Sequence, residues 1–186
     1  MPTKCYLLLL AGLLSWSLMA QEARNATPWQ AETFAGLEWR NIGPAFMSGR
    51  IADIAINPQD DNVWYVAVGS GGVWKTDNAG VTWTPIFDSQ SSYSTGCVTI
   101  HPANPNIVWV GTGENVGGRH MGYGDGVYRS RDGGQTWENM GLKASEHISR
   151  IIVHPDNEQV VWVAAQGPLW SSGGERGVYK TADGGK

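Results

Sequence analysis

Residues 113–125 read Gly-Glu-Asn-Val-Gly-Gly-Arg-His-Met-Gly-Tyr-Gly-Asp. The stretch holds two carboxylates (Glu114 and Asp125), an amide (Asn115), a guanidinium (Arg119), an imidazole (His120) and a phenol (Tyr123). Two carboxylates about 5–10 Å apart are what glycoside hydrolysis uses. Glu114 and Asp125 are the available pair. One loop seldom places both members across a substrate, so a hydrolytic reading puts the second carboxylate outside this segment. Aromatic faces and forked donors also suit a bound sugar or peptide end. On that reading Arg119, His120, Tyr123, Trp170 and Tyr93 are the contact residues. The glycines between them allow backbone to approach a ligand closely. The same stretch also reads as an ordinary long loop with its polar groups in solvent.

Other chemistries are poorly served. Gly111-Thr112-Gly113 has no helix after it to receive a phosphate, and no Gly-Lys-Ser/Thr occurs. His101 and His154 stand where a third, equivalent position has Asn57, an exchange that points to turn capping. We expect no metal and no cofactor.

The elements that must position these residues are repeated. Thr76-Asp77-Asn78-Ala79-Gly80-Val81-Thr82-Trp83 matches Ser130-Arg131-Asp132-Gly133-Gly134-Gln135-Thr136-Trp137, and a third copy begins at Thr181-Ala182-Asp183-Gly184-Gly185-Lys186. Before each copy comes a short β-type run: Gly72–Lys75, Gly126–Arg129 and Gly177–Lys180. Two further runs recur in order. One ends in Pro58, Pro102 or Pro155. The other carries Val63-Trp64, Val108-Trp109 or Val161-Trp162. Short β-branched and aromatic runs bounded by Gly, Pro and Asn are strands. Four strands per repeat of about 45–55 residues is the pattern of a β-propeller blade.

The fold class is therefore all-β: a β-propeller of four-stranded blades, about two and three-quarter of them present and the ring incomplete. Residues 50–87 form blade 1, 96–142 blade 2 and 148–186 a truncated blade 3. Leu37-Glu38-Trp39-Arg40-Asn41-Ile42 resembles an orphan outer strand, so the partial propeller spans 37–186. The remaining blades are expected C-terminal to it. Alternating strand direction puts the turns between first and second and between third and fourth strands on one face. The other connections, with the 113–125 stretch and Tyr93 and Trp170, share the opposite face. Insertions confined to one face of a repeat protein often mark the binding face.

Within the repeated turn, Asn78, Asp132 and Asp183 can accept backbone N–H groups. Thr76, Ser130 and Thr181 precede them. Gly80, Gly134 and Gly185 supply positive φ, and Trp83 and Trp137 bury a large ring beside the hairpin.

Composition narrows the class. The formal charge is −4 with 13 Lys plus Arg, and no basic cluster is present, which argues against nucleic acid as a partner. Hydrophobic content of 41% argues against disorder. Lys4, the apolar run from Tyr6 to Leu14 and small Ala20 read as a signal peptide over about 1–20, hence a secreted or periplasmic protein. Residues 21–36 read as a linker. Cys5 would leave with the leader, so Cys97 would have no disulfide partner in the mature chain. No stretch in this segment is long enough for a membrane span.

The Ser/Thr-x-Asp/Asn-x-Gly-x-Thr-Trp pattern resembles the Asp-box, or BNR, repeat of sialidases, xyloglucanase-type glycoside hydrolases and sortilin (VPS10) ectodomains. The resemblance covers about residues 37–186 and looks most like bacterial secreted sortilin-like or "glycosyl hydrolase"-labelled repeat proteins. It implies a secreted propeller that binds a peptide or glycan on its loop face. The alternative it implies is a glycoside hydrolase. In the xyloglucanase-type pattern a catalytic Asp precedes the Gly-Gly of the first blade's third strand; here Gly69 holds that place. Sialidases use an early Arg-Ile-Pro arginine, and Arg50-Ile51-Ala52 is similar without the proline.

Overall fold

The computed structural model describes residues 30–38, 50–115 and 121–186. The expected leader, the outer-strand residues 39–42, Arg119 and His120 lie outside them. Contacts divide the chain after Ala45. The described part of the first unit is a 3-10 turn, Ala31–Phe34. Leu37 and Glu38 are exposed and unpaired in any ladder.

The second unit is three antiparallel sheets. Blade 1 is β1 (Ile51–Ile56), β2 (Trp64–Val68), β3 (Gly72–Thr76) and β4 (Thr84–Pro85), in that order across the sheet. Blade 2 is β5 (Thr95–Ile100), β6 (Val108–Thr112), β7 (Val127–Ser130) and β8 (Glu138–Asn139). Blade 3 is β9 (Ile148–His154), β10 (Asn157–Ala165) and β11 (Gly177–Thr181). The two-residue fourth strands begin just after Trp83 and Trp137. Pro85 sits on an outer edge, where a missing N–H costs no ladder bond. The fold is a partial β-propeller.

Register corrects one alignment. Val63-Trp64 resembles Val108-Trp109, yet Trp64 pairs with Thr76 whereas Val108 pairs with Ser130. The equivalent of Trp109 is therefore Tyr65, and the dipeptide is displaced by one residue in blade 1. A one-residue displacement sends a side chain to the other face. The pairing Tyr65↔Lys75, Trp109↔Arg129 and Trp162↔Lys180 then repeats in all three blades. Each cation lies over its ring at 5.2–5.7 Å.

Cores sit between blades. Tyr65, Ala67, Val73 and Phe87 of blade 1 pack against Val98, Ile100, Val108, Val110 and Tyr128 of blade 2. Trp109 and Val127 of blade 2 pack against Ile148, Ile151, Val161 and Val163 of blade 3. Gly111 permits the second joint: a Cβ there would lie 2.4 Å from Ile148 Cγ2.

The three repeated turns share one hydrogen-bond pattern. Thr76 Oγ1 accepts the Gly80 N–H at 2.9 Å, and Asn78 Oδ1 accepts the Thr82 N–H at 2.9 Å. Ser130 and Asp132 do the same for Gly134 and Thr136. Thr181 and Asp183 hold Gly185 and Lys186. The Thr136 hydroxyl, above all, brings Asp132 down to about 2. Asn57 and His101 cap their first turns by accepting the N–H groups of Gln59 and Asn104.

The two turn tryptophans differ. Trp137 bridges blades: its indole N–H donates to Ile86 O at 2.8 Å, and its ring meets Phe87 edge-on at 5.2 Å. Trp83 was expected to be buried and is instead 37% exposed. Trp137 has a preceding blade to lie on. Among the described residues nothing covers the corresponding face of blade 1, where Trp83 shares an open apolar surface with Ile54, Trp64 and Trp74.

Candidate functional site: the three-blade hub on the loop face

Each inner strand begins with the same device. One residue is bulged, at Ala52, Gly96 and Ser149. Two residues earlier stand Arg50, Ser94 and His147. Their carbonyls accept the equivalent N–H groups of Gly69, Gly113 and Gln166 at 2.8 Å in all three blades.

These three residues converge on Glu114. Arg50 makes a bidentate pair with the Glu114 carboxylate. Ser94 Oγ accepts the Glu114 N–H at 3.0 Å. His147 Nδ1 lies 2.8 Å from the Glu114 carbonyl. One residue of the blade 2 loop thus ties three consecutive blades together through its side chain, amide and carbonyl. Glu114 is 1% exposed while Arg50 is half exposed. The carboxylate holds the Arg50 guanidinium above its ordinary range, first through the hydrogen bonds and then through its charge.

The Glu114 carboxylate also fills the space beside Gly69. A Cβ on Gly69 would lie 3.0 Å from Glu114 Cδ and Oε1. The position where the xyloglucanase-type pattern places an aspartate is therefore backed by another residue's carboxylate. Gly113 is as constrained: its φ is +82°, and a Cβ would meet Glu146 O at 1.8 Å.

Asp125 belongs to a second cluster. It accepts from the Tyr128 hydroxyl at 2.7 Å and from Ser91, and its backbone N–H donates to Thr112 Oγ1 at 2.9 Å. Burial, chiefly, pushes the Tyr128 phenol up. Both candidate carboxylates are thus engaged within the fold, in separate hydrogen-bond clusters.

Tyr93, Tyr123 and Trp170 are exposed on loop-face connections. Tyr123 meets the buried His147 ring at 5.6 Å between centroids. Asn115 clasps two inner strands, donating to Gly96 O at 2.9 Å and Ser149 O at 3.2 Å. Gln166 Nε2 donates to Asn115 O at 3.4 Å. Asn115 is noted in sequence only as the amide of the 113–125 stretch, and the residue types of His147 and Gln166 give no signal. Their common signal is position: His147 just precedes an inner strand, and Gln166 and Asn115 follow the end of a second strand. Among the described residues no group of three His, Cys, Asp or Glu could hold a metal ion.

Fold and hub define a propeller segment with three blades tied together through one loop-face residue. No family profile matches the chain. The xyloglucanase Xgh74A of Acetivibrio thermocellus is 25% identical over 162 residues, which is 77% of this chain and 19% of that protein. The xyloglucanase of Hypocrea jecorina is 24% identical over 165 residues, 81% of this chain and 19% of that protein. The chain thus spans about a fifth of the curated relatives it matches. Among solved structures, the GH74 enzyme of Niastella koreensis superposes with a TM-score of 0.52 at 25% identity, over 68% of this chain and 19% of that one. YCF48 from Cyanidioschyzon merolae gives 0.52 at 19% identity, over 76% of this chain and 37% of that one, a likeness of fold alone.

Proposed function

We propose that this chain is a carbohydrate-binding part of a larger, secreted, glycoside hydrolase-like propeller protein. Its loop face would hold a neutral β-glucan such as xyloglucan. The observation that carries the reading is the convergence of three blades on Glu114, with exposed Tyr93, Tyr123 and Trp170 around that face. The hub makes the surface rigid, and aromatic rings on a rigid surface suit sugar rings. The two xyloglucanase relatives support a glycan over a peptide. In this reading Glu114 positions the face and does not cleave, since Arg50 occupies both its oxygens. Cleaving carboxylates would come from other blades. Arg119 and His120 remain proposed contacts.

The test is titration of the chain with soluble xyloglucan, with polygalacturonate as a charged contrast. Saturable binding to xyloglucan that weakens in Trp170→Ala and Tyr123→Ala supports the reading. Absence of binding to xyloglucan and to cello-oligosaccharides overturns it. Cleavage by the isolated chain that Glu114→Gln abolishes, without loss of folding, would overturn the positioning role.

A further inference from the structure

The two joints between blades match residue by residue, and one of them is unfilled. In the joint between blades 1 and 2 the Tyr65 hydroxyl seats the second repeated turn, donating to Gly133 O at 3.0 Å. In the joint between blades 2 and 3 Arg129 seats the third turn, donating to the equivalent carbonyl, Gly184 O, at 2.6 Å. A Cβ on Gly134 would lie 2.6 Å from Ile86 Cδ1 and 3.5 Å from Tyr65 Cε1. A Cβ on Gly185 would lie 3.1 Å from Met140 Cε and 3.6 Å from Trp109 Cη2, the equivalents of those two residues. Ile86 and Met140 are also anchored alike, their N–H groups donating to Val73 O and Val127 O.

The difference is an indole. Gly134 also faces Trp137 Cζ2 at 3.5 Å, and Gly80 faces Trp83 Cζ2 at the same distance. Trp137 fills the first joint. In the second joint the corresponding space is a cavity of about 470 Å³ between Trp109, Val127, Met140 and Leu142 of blade 2 and Val163 and Tyr179 of blade 3. Beside it β11 is a sheet edge: β3 and β7 each carry a fourth strand, whereas β11 pairs only with β10. An unpaired edge next to an apolar cavity is a template for an added strand.

We propose that this cavity and edge dock an extended segment carrying a tryptophan, the fourth strand of blade 3, supplied by the larger propeller protein proposed above. The inference rests on that part of the reading and not on the sugar. Blade 2 gives the register: Glu138 opposes Arg129, and Asn139 opposes Tyr128. The incoming strand would run antiparallel to β11, with its tryptophan one residue before the partner of Lys180. The indole would enter the cavity and donate to Met140 O, as Trp137 donates to Ile86 O at 2.8 Å. A threonine ahead of the tryptophan also fits. Asp132 accepts the Thr136 N–H at 2.9 Å and its hydroxyl at 2.6 Å, whereas Asp183 holds the Lys186 N–H, one residue short of that position, at 3.1 Å. Among the described residues both Thr-Trp pairs lead into strands already paired in their own sheets, which argues against a second copy of this chain as the donor.

The test uses the isotope-labelled 186-residue chain and the unlabelled peptide Gln-Thr-Trp-Glu-Asn-Met, the sequence of residues 135–140. NMR titration should show saturable shifts at the Met140, Tyr179 and Lys180 amides, and a nuclear Overhauser contact between the peptide indole and the Met140 methyl. Alanine in place of the peptide's tryptophan should weaken binding about thirtyfold, the loss of a hot-spot residue. No shift at these amides up to millimolar peptide overturns the proposal, and so does equal binding of the alanine peptide. The same shifts on raising the chain's own concentration, without peptide, would assign the groove to a second copy and overturn it too. Xyloglucan titration keeps the two readings apart. Sugar binding without peptide binding ends this inference alone, and peptide binding without sugar binding ends the glycan reading alone.

Discussion

Ser94→Ala removes the smallest component of the hub, and its effect can be worked from the contacts. The hydroxyl is fully buried. It accepts the Glu114 N–H at 3.0 Å and faces two carbonyls, Gly69 O at 2.8 Å and Gly122 O at 2.9 Å. One proton serves one carbonyl at a time. Alanine therefore deletes one donated and one accepted bond. The Glu114 N–H keeps a second acceptor, Gly122 O at 3.2 Å, so that group stays partly satisfied. A buried carbonyl loses its donor, at about 1–3 kcal/mol. The expected loss is about 2 kcal/mol, which for a domain of this size lowers the midpoint by roughly 4–8 °C. The assay is reversible thermal or urea unfolding of the chain. Ser70→Ala is the control, because that exposed hydroxyl has only a 3.5 Å contact with Arg50; it should stay within about 0.5 kcal/mol of wild type. A Ser94→Ala variant as stable as the control would refute the reasoning, since the carbonyls it served would then be reaching water.

The turn tryptophans should separate. Trp137→Ala should cost about 3 kcal/mol, because it empties a blade joint and strands Ile86 O; Trp83→Ala should cost less than about 1 kcal/mol, both read by urea unfolding. Asp132 should contribute an acid-sensitive stability. Its folded pKa of about 2 lies below the ordinary carboxylate value, so the contribution is complete above about pH 4 and is lost as pH falls toward 2. Asp132→Asn should flatten the stability profile in that window. Cys97 is buried, and burial pushes its thiol up to about 12, so a maleimide should label it only in denaturant. Labelling of the native chain at the rate of a free thiol would contradict this. Glu114→Gln should destabilise the chain and reduce the salt dependence of its unfolding, because it exchanges a bidentate ion pair for a single bond from the Arg50 cation to a neutral amide oxygen.

The blades were legible because their signals are local. The turn motif, the proline-ended strand and the glycines each lie within a few residues of what they cap. Trp64 misled because a dipeptide match carries no register; only the pairing with Thr76 reveals that Tyr65 takes the place of Trp109. The hub was legible only in part. Glu114 and Arg50 each stood out, but they are 64 residues apart, and no local pattern joins them. His147 carried no motif at all. Its equivalence to Arg50 and Ser94 follows from the bulge that all three inner strands share, which is a property of pairing and not of composition. Trp83 shows the complementary limit, since burial of a blade face depends on which blade lies against it.

The two faces of the propeller use their polar groups differently. On the turn face the groups are consumed internally. The Ala79, Gly133 and Gly184 N–H groups donate to Asn62 O, Asn106 O and Gln159 O, joining the two turns of every blade in the same way. Asp132 and Asn78 give their oxygens to their own turns, and Gln59 reaches across to Pro102 and Ala103. His101 Nε2 is the exception on that face, buried without a partner. On the loop face Glu114 ties three blades together, and Asn115 Oδ1, His147 Nε2 and Gln166 Oε1 are buried near it without a hydrogen-bond partner.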